Sequence, residues 1–85
     1  MTVADFKRMY RFGHRVVIKP FNSDNIYYLT VVLLDAHKKT LYLADVIHAE
    51  QRPMIQLKNY YNKWYVVKDD VVDTSTPYVL KSISR

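Results

Sequence analysis

Three histidines (His14, His37 and His48) and three closely spaced carboxylates (Asp69, Asp70 and Asp73) could in principle hold a metal or move a proton. Their spacing speaks against both roles. No histidine stands at a metal-ligand interval from a carboxylate pair, and the chain contains no cysteine. The aspartates lack the alternating oxygen ligands and the turn glycine of a calcium-binding loop. There is no glycine-rich phosphate cradle and no serine or cysteine nucleophile motif. An 85-residue chain would also have little material for a deep, dry cleft. The expectation is a protein that is not an enzyme and holds no cofactor and no metal.

Two other groups suit binding. Lys7, Arg8, Arg11 and Arg15 are gathered near the N-terminus, where they could meet phosphates or an acidic protein patch. The plain alternative is the solvated face of an amphipathic helix. The second group is Lys58, Tyr60, Tyr61, Lys63 and Trp64, the densest aromatic and basic cluster in a chain with eight tyrosines. Aromatic rings beside cations suit stacking of single-stranded bases, and the same residue types are favoured at protein interfaces. No nucleic-acid signature accompanies them, so a protein contact is preferred. Core packing is the competing explanation for about half of the tyrosines.

The elements that must position these residues follow from periodicity. Thr2 and Asp5 form a variant capping box, and Val3, Phe6, Met9 and Tyr10 recur at helical spacing. Gly13 suits the left-handed residue after a helix. Residues 2–12 therefore read as a short amphipathic helix docked through Phe6 and Tyr10. Residues 15–21 alternate as a strand that Pro20 limits to an edge or an end. Residues 26–46 hold two apolar runs with a polar break at 35–39, the pattern of a central hairpin. Pro53 followed by Met54, Leu57, Tyr61 and Trp64 at helical spacing favours a second helix near residues 53–62. The rival is a strand over 54–58 and a turn over 59–62. Residues 64–72 and 78–83 read as strands joined by a turn over 73–77.

The resulting expectation is an α+β fold: an N-terminal helix, an antiparallel sheet of about five strands, and the second helix near 53–62. The alternative is a nearly all-β open barrel plugged by the N-terminal helix. With a single glycine in the whole chain, a tight closed barrel is disfavoured, because bulges and sharp corners usually consume glycines. One domain is all the length allows. The net charge of +5 is concentrated in the first twenty residues, which hold five basic side chains against Asp5 alone. No stretch approaches the roughly 18 apolar residues of a membrane span, which points to a cytoplasmic protein with no membrane partner.

The opening Met1-Thr2-Val3 with Asp5-Phe6, then Gly13 and the strand around Val16 and Ile18, resembles short accessory proteins of phages and mobile elements of Gram-positive bacteria. Anti-CRISPR-type inhibitors of host nuclease defences are one subset of these. The resemblance implies a brief helix before an antiparallel sheet, and action by binding a host or phage macromolecule without a cofactor. The expected function is thus a non-enzymatic binding protein for a protein or nucleoprotein partner. A direct nucleic-acid-binding module is the second reading. A homo-oligomeric assembly protein, a homodimer for instance, is the third.

Overall fold

A computed structural model of the protein describes residues 2–45 and 54–83. The chain begins with helix α1 (Val3–Met9), capped by Thr2, whose hydroxyl accepts from the Asp5 amide at 3.1 Å. Six strands follow: β1 (Arg15–Pro20), β2 (Tyr27–Asp35), β3 (Thr40–Ala44), β4 (Ile55–Tyr60), β5 (Lys63–Lys68) and β6 (Val71–Ser82). Each pairs antiparallel with the next, and β6 returns to pair with β1, so the sheet closes into a barrel. This overturns the α+β expectation of an open sheet with two helices, and the alternative of an open barrel. Residues 55–60 are strand, paired with β3 on one side and β5 on the other. His48 and Pro53 lie outside the described residues.

Glycine scarcity misled because other residues take the left-handed positions. Tyr61 and Asn62 (φ 50° and 68°) turn β4 into β5, and Asp69 and Asp70 (φ 53° and 63°) turn β5 into β6. Both are two-residue hairpins with positive φ at both central positions, the form whose twist matches paired strands. Lys39 (φ 53°) closes the β2–β3 turn, and Gly13 (φ 84°) leads from the helix into β1. The Gly13 amide donates to the Val31 carbonyl at 2.8 Å.

Two irregularities shape the wall. In β2, Val31 pairs with Leu43 but Leu33 pairs with Tyr42, so Val32 is an extra residue. That bulge turns Leu33 outward, where it is exposed, and brings Leu34 against the core. Between β5 and β6 the register shifts from Trp64↔Tyr78 to Val66↔Asp73. The surplus residues on β6 are the supposed 73–77 turn. Asp73 there accepts from the Ser75 amide and hydroxyl, at 3.0 and 2.6 Å. The turn-forming sequence makes a wide bulge within one long strand, and the reversal occurs earlier, at Asp69-Asp70.

The barrel interior is filled. Val16, Ile18, Val31, Leu41, Leu43 and Leu57 are fully buried, each contributing roughly 1.5–3 kcal/mol through burial. Strands alternate about this core: Val16 and Ile18 face in, while Arg15, Val17 and Lys19 face out. Helix α1 stops one end of the barrel. Phe6 and Tyr10 enter it and meet Trp64, with ring centroids 5.1 Å (Phe6–Tyr10), 6.2 Å (Phe6–Trp64) and 5.6 Å (Tyr10–Trp64) apart. Such tilted and edge-on pairs add about 0.5–1.5 kcal/mol each beyond area burial. No described helix is long and apolar enough to cross a membrane.

Candidate binding surface

The up-and-down path of the strands assigns each turn to one end of the barrel. Helix α1, the start of β1, the β2–β3 turn, the β4–β5 turn and the end of β6 share one end. The β1–β2 loop and the β5–β6 turn share the other. Ionisable residues divide along the same axis. The helix end carries Lys7, Arg8, Arg11 and Arg15, then Lys38, Lys39, Lys58, Lys63 and Lys81, against Asp5 and Asp35. Both of those carboxylates are locally engaged: Asp5 accepts from the Arg8 guanidinium, and Asp35 accepts from the Lys38 amide at 3.2 Å. Among the described residues the opposite end carries Asp24, Asp45, Asp69, Asp70 and Asp73 against Lys19 and Lys68, with Asp70 reaching along the wall to line one pocket with Lys38 and Lys58. A barrel so divided has a positive end and a negative end, with a potential that orients an approaching anion.

The sequence-predicted residues mostly meet at the positive end. Lys7, Arg8 and Arg11 are exposed on α1 and just beyond it, and Arg15 faces out at the head of β1. On the β4–β5 hairpin, Lys58 pairs across the ladder with Tyr65, and Tyr60 with Lys63. The Lys58 ammonium lies 5.4 Å from the centroid of the Tyr60 ring. Tyr60 stacks on Tyr61 at 6.1 Å and meets Tyr65 edge-on at 6.4 Å. The result is a ribbon of three tyrosines fringed by lysines. Tyr61 leads it, 93 % exposed, in a backbone conformation that bulky side chains rarely adopt.

Trp64 does not belong to this surface. It is 4 % exposed and packs inward on Phe6 and Tyr10. Strand alternation separates it from its neighbours: Lys63 and Tyr65 face out and Trp64 faces in. Sequence reasoning left Tyr65, Lys38, Lys39 and Lys81 out of the site. The signal for Tyr65 was its two-residue offset from Lys63, which starting the strand at Lys63 rather than at Trp64 would have used.

The histidines and the aspartates among the described residues do not gather. Among the described residues no three His, Asp or Glu side chains lie together in a metal-binding arrangement. His14 is hydrogen-bonded through Nε2 to the Ser82 hydroxyl, which ties the head of β1 to the tail of β6. Titration shifts have local structural causes. Hydrogen bonds from the Thr2 hydroxyl and amide hold the Asp5 carboxyl below its ordinary value, with the Arg8 charge adding to this. The Ser75 hydroxyl and amide do the same for Asp73. Burial pushes the Tyr10 phenol up.

No family model, no curated protein and no solved structure matches this chain, so its site is defined by its own geometry.

Proposed function

We propose that this is a non-enzymatic binding protein that presents the helix-bearing end of its barrel to an anionic face of a protein or nucleoprotein partner. The observation that carries this reading is the separation of charge along the barrel axis, with the exposed tyrosine ribbon standing inside the positive end. Clustered cations steer association and select partners by sign. Exposed tyrosines provide large contact area at low conformational cost, which is how interface anchors work. A host or phage nuclease complex is the class of partner implied by the resemblance of the chain's opening to mobile-element accessory proteins.

The test uses the intact protein as bait in a bacterial lysate, with and without nuclease treatment. Retention of a specific partner should survive nuclease, fall at least tenfold with the double variant R8E/R11E, and persist with D69K/D70K at the opposite end. Retention indifferent to R8E/R11E would remove the helix end from the interface.

A further inference from the structure

One wall of the barrel, running from the helix end down the side, combines cations and apolar side chains in a regular way. Because Val16 and Ile18 are fully buried, Arg15, Val17 and Lys19 project outward from β1. The ladders on either side then fix what stands next to them. Val17 lies between Tyr28 of β2 and Lys81 of β6, and Lys19 lies beside Val79. The wall continues onto β5. Trp64 and Tyr78 are paired, so the next outward pair is Lys63 and Val79, and both line one shallow pocket.

Exposure is high where it matters: Tyr28 is 67 % and Val79 49 % accessible. None of these outward positions holds a carboxylate. Lys19 Nζ donates to the Pro20 carbonyl at 3.3 Å and retains further donors. Tyr61, in the turn that leads into Lys63, stacks on Tyr60 of β4 at the β5 border of this wall.

Resting on the reading of this protein as a binder of anionic partners, we infer that the β2–β1–β6–β5 wall binds single-stranded DNA. Bases lie on Tyr28 at one edge and Tyr61 at the other, and phosphates meet Arg15, Lys19, Lys81 and Lys63. Strands about 4.8 Å apart place β2 and β5 about 14 Å from each other across the curved face, the span of a few nucleotides. Interleaved cations and π-faces suit a strand whose bases are free to stack, because charge tracks the backbone while rings hold bases without reading sequence. A duplex keeps its bases stacked on each other, out of reach of tyrosines on a convex wall. The outward positions offer a ribose 2′-hydroxyl mainly valines and lysine stems, so RNA gains nothing from its extra hydroxyl and the deoxyribose strand is the occupant inferred.

The experiment is fluorescence anisotropy of the intact protein with a labelled oligothymidylate of about twelve nucleotides, matched by a duplex and an oligouridylate. Binding to the single strand should weaken with salt at a log–log slope near −3, as about four phosphate contacts require. Y28A should weaken it about tenfold, and K81E should both weaken it and flatten the salt slope by about 0.7. Thermal melts of Y28A and K81E, both at exposed positions, check that the barrel is intact. Tighter binding of the duplex or of oligouridylate overturns the inference. So does oligothymidylate binding that R8E/R11E abolishes while Y28A and K81E leave it unchanged. If the oligonucleotide does not bind but a nuclease-resistant protein partner is retained through the helix end, this inference fails and the proposed function stands.

Discussion

Two turns of the barrel share a backbone and differ in everything else. Tyr61-Asn62 and Asp69-Asp70 each reverse the chain in two residues, all four at positive φ, at opposite ends of the molecule. Aspartate and asparagine tolerate that region because their short side chains can bond locally, whereas a bulky aromatic there costs of order 1–3 kcal/mol. The acidic turn therefore satisfies its geometry and adds charge to the negative end. The aromatic turn is less stable than an Asn-Gly turn would be, and it holds a ring almost wholly in solvent. Local stability does not account for Tyr61; under the function proposed here, the ring is kept available for a partner. The comparison teaches that one turn fits its backbone with residues suited to it, while the other carries strain that folding alone does not call for.

The largest expected effect would break the positive end from within. Trp64→Ala should cost about 3–5 kcal/mol, because it removes the ring on which Phe6 and Tyr10 close the barrel. Denaturant unfolding checks it, and Tyr65→Ala, one residue on and facing out, should cost far less. Thr2→Ala should cost about 1 kcal/mol by uncapping α1, measurable in the same way.

A substitution of opposite sign sharpens the contrast between the turns. Tyr61→Asn should raise stability by about 1 kcal/mol in a thermal melt by relieving the left-handed strain. The same change should weaken binding of the single-stranded probe. A stabilised variant with undiminished binding would show that the exposed ring serves no contact.

Titration compares the two ends more finely. Asp5 sits at the helix end and Asp73 in the β6 bulge, and each carboxyl is held below its ordinary value by hydrogen bonds to its charged form. A lowered folded value means that each contributes stability above the ordinary Asp value of about 3.9, lost as pH falls through the lowered one. Asp5→Asn and Asp73→Asn should each flatten the acid limb of a stability-versus-pH curve. In the alkaline direction the sign reverses. Tyr10 has a raised value through burial, so its contribution is complete below the ordinary Tyr value of about 10 and is lost as pH rises through the raised one. Phenolate absorbance should show a late-titrating tyrosine, and Tyr10→Phe should remove that late step.

Local patterns made part of this molecule legible. The capped helix, the docking of Phe6 and Tyr10, the left-handed Gly13 and strands β1 to β3 all follow from spacing within a few residues. The error over 53–62 has a clear source. Met54, Leu57, Tyr61 and Trp64 fit a helical stripe, yet only Leu57 and Trp64 are buried, while Met54 and Tyr61 are among the exposed apolar residues. The period was an accident of a strand, a turn and a second strand read as one element. Closure was not written locally at all, since it depends on β1 finding β6 and on five non-glycine residues accepting positive φ. Of the candidate surface, the residue types were readable, but which of them face outward required the strand phase. That phase is what removes Trp64 and adds Tyr65.

The seam between β1 and β6 also has a consequence in time. Val16 pairs with Ser82, so the last ladder to form joins the two extremes of the sequence. Five hairpins can assemble in order as the chain emerges during synthesis, but each growing sheet carries an open edge until β6 arrives. Topologies dominated by such distant pairings fold slowly, and an open edge invites pairing with another chain. For this protein the interval before Ser82 joins Val16 is the one in which misassembly competes with folding.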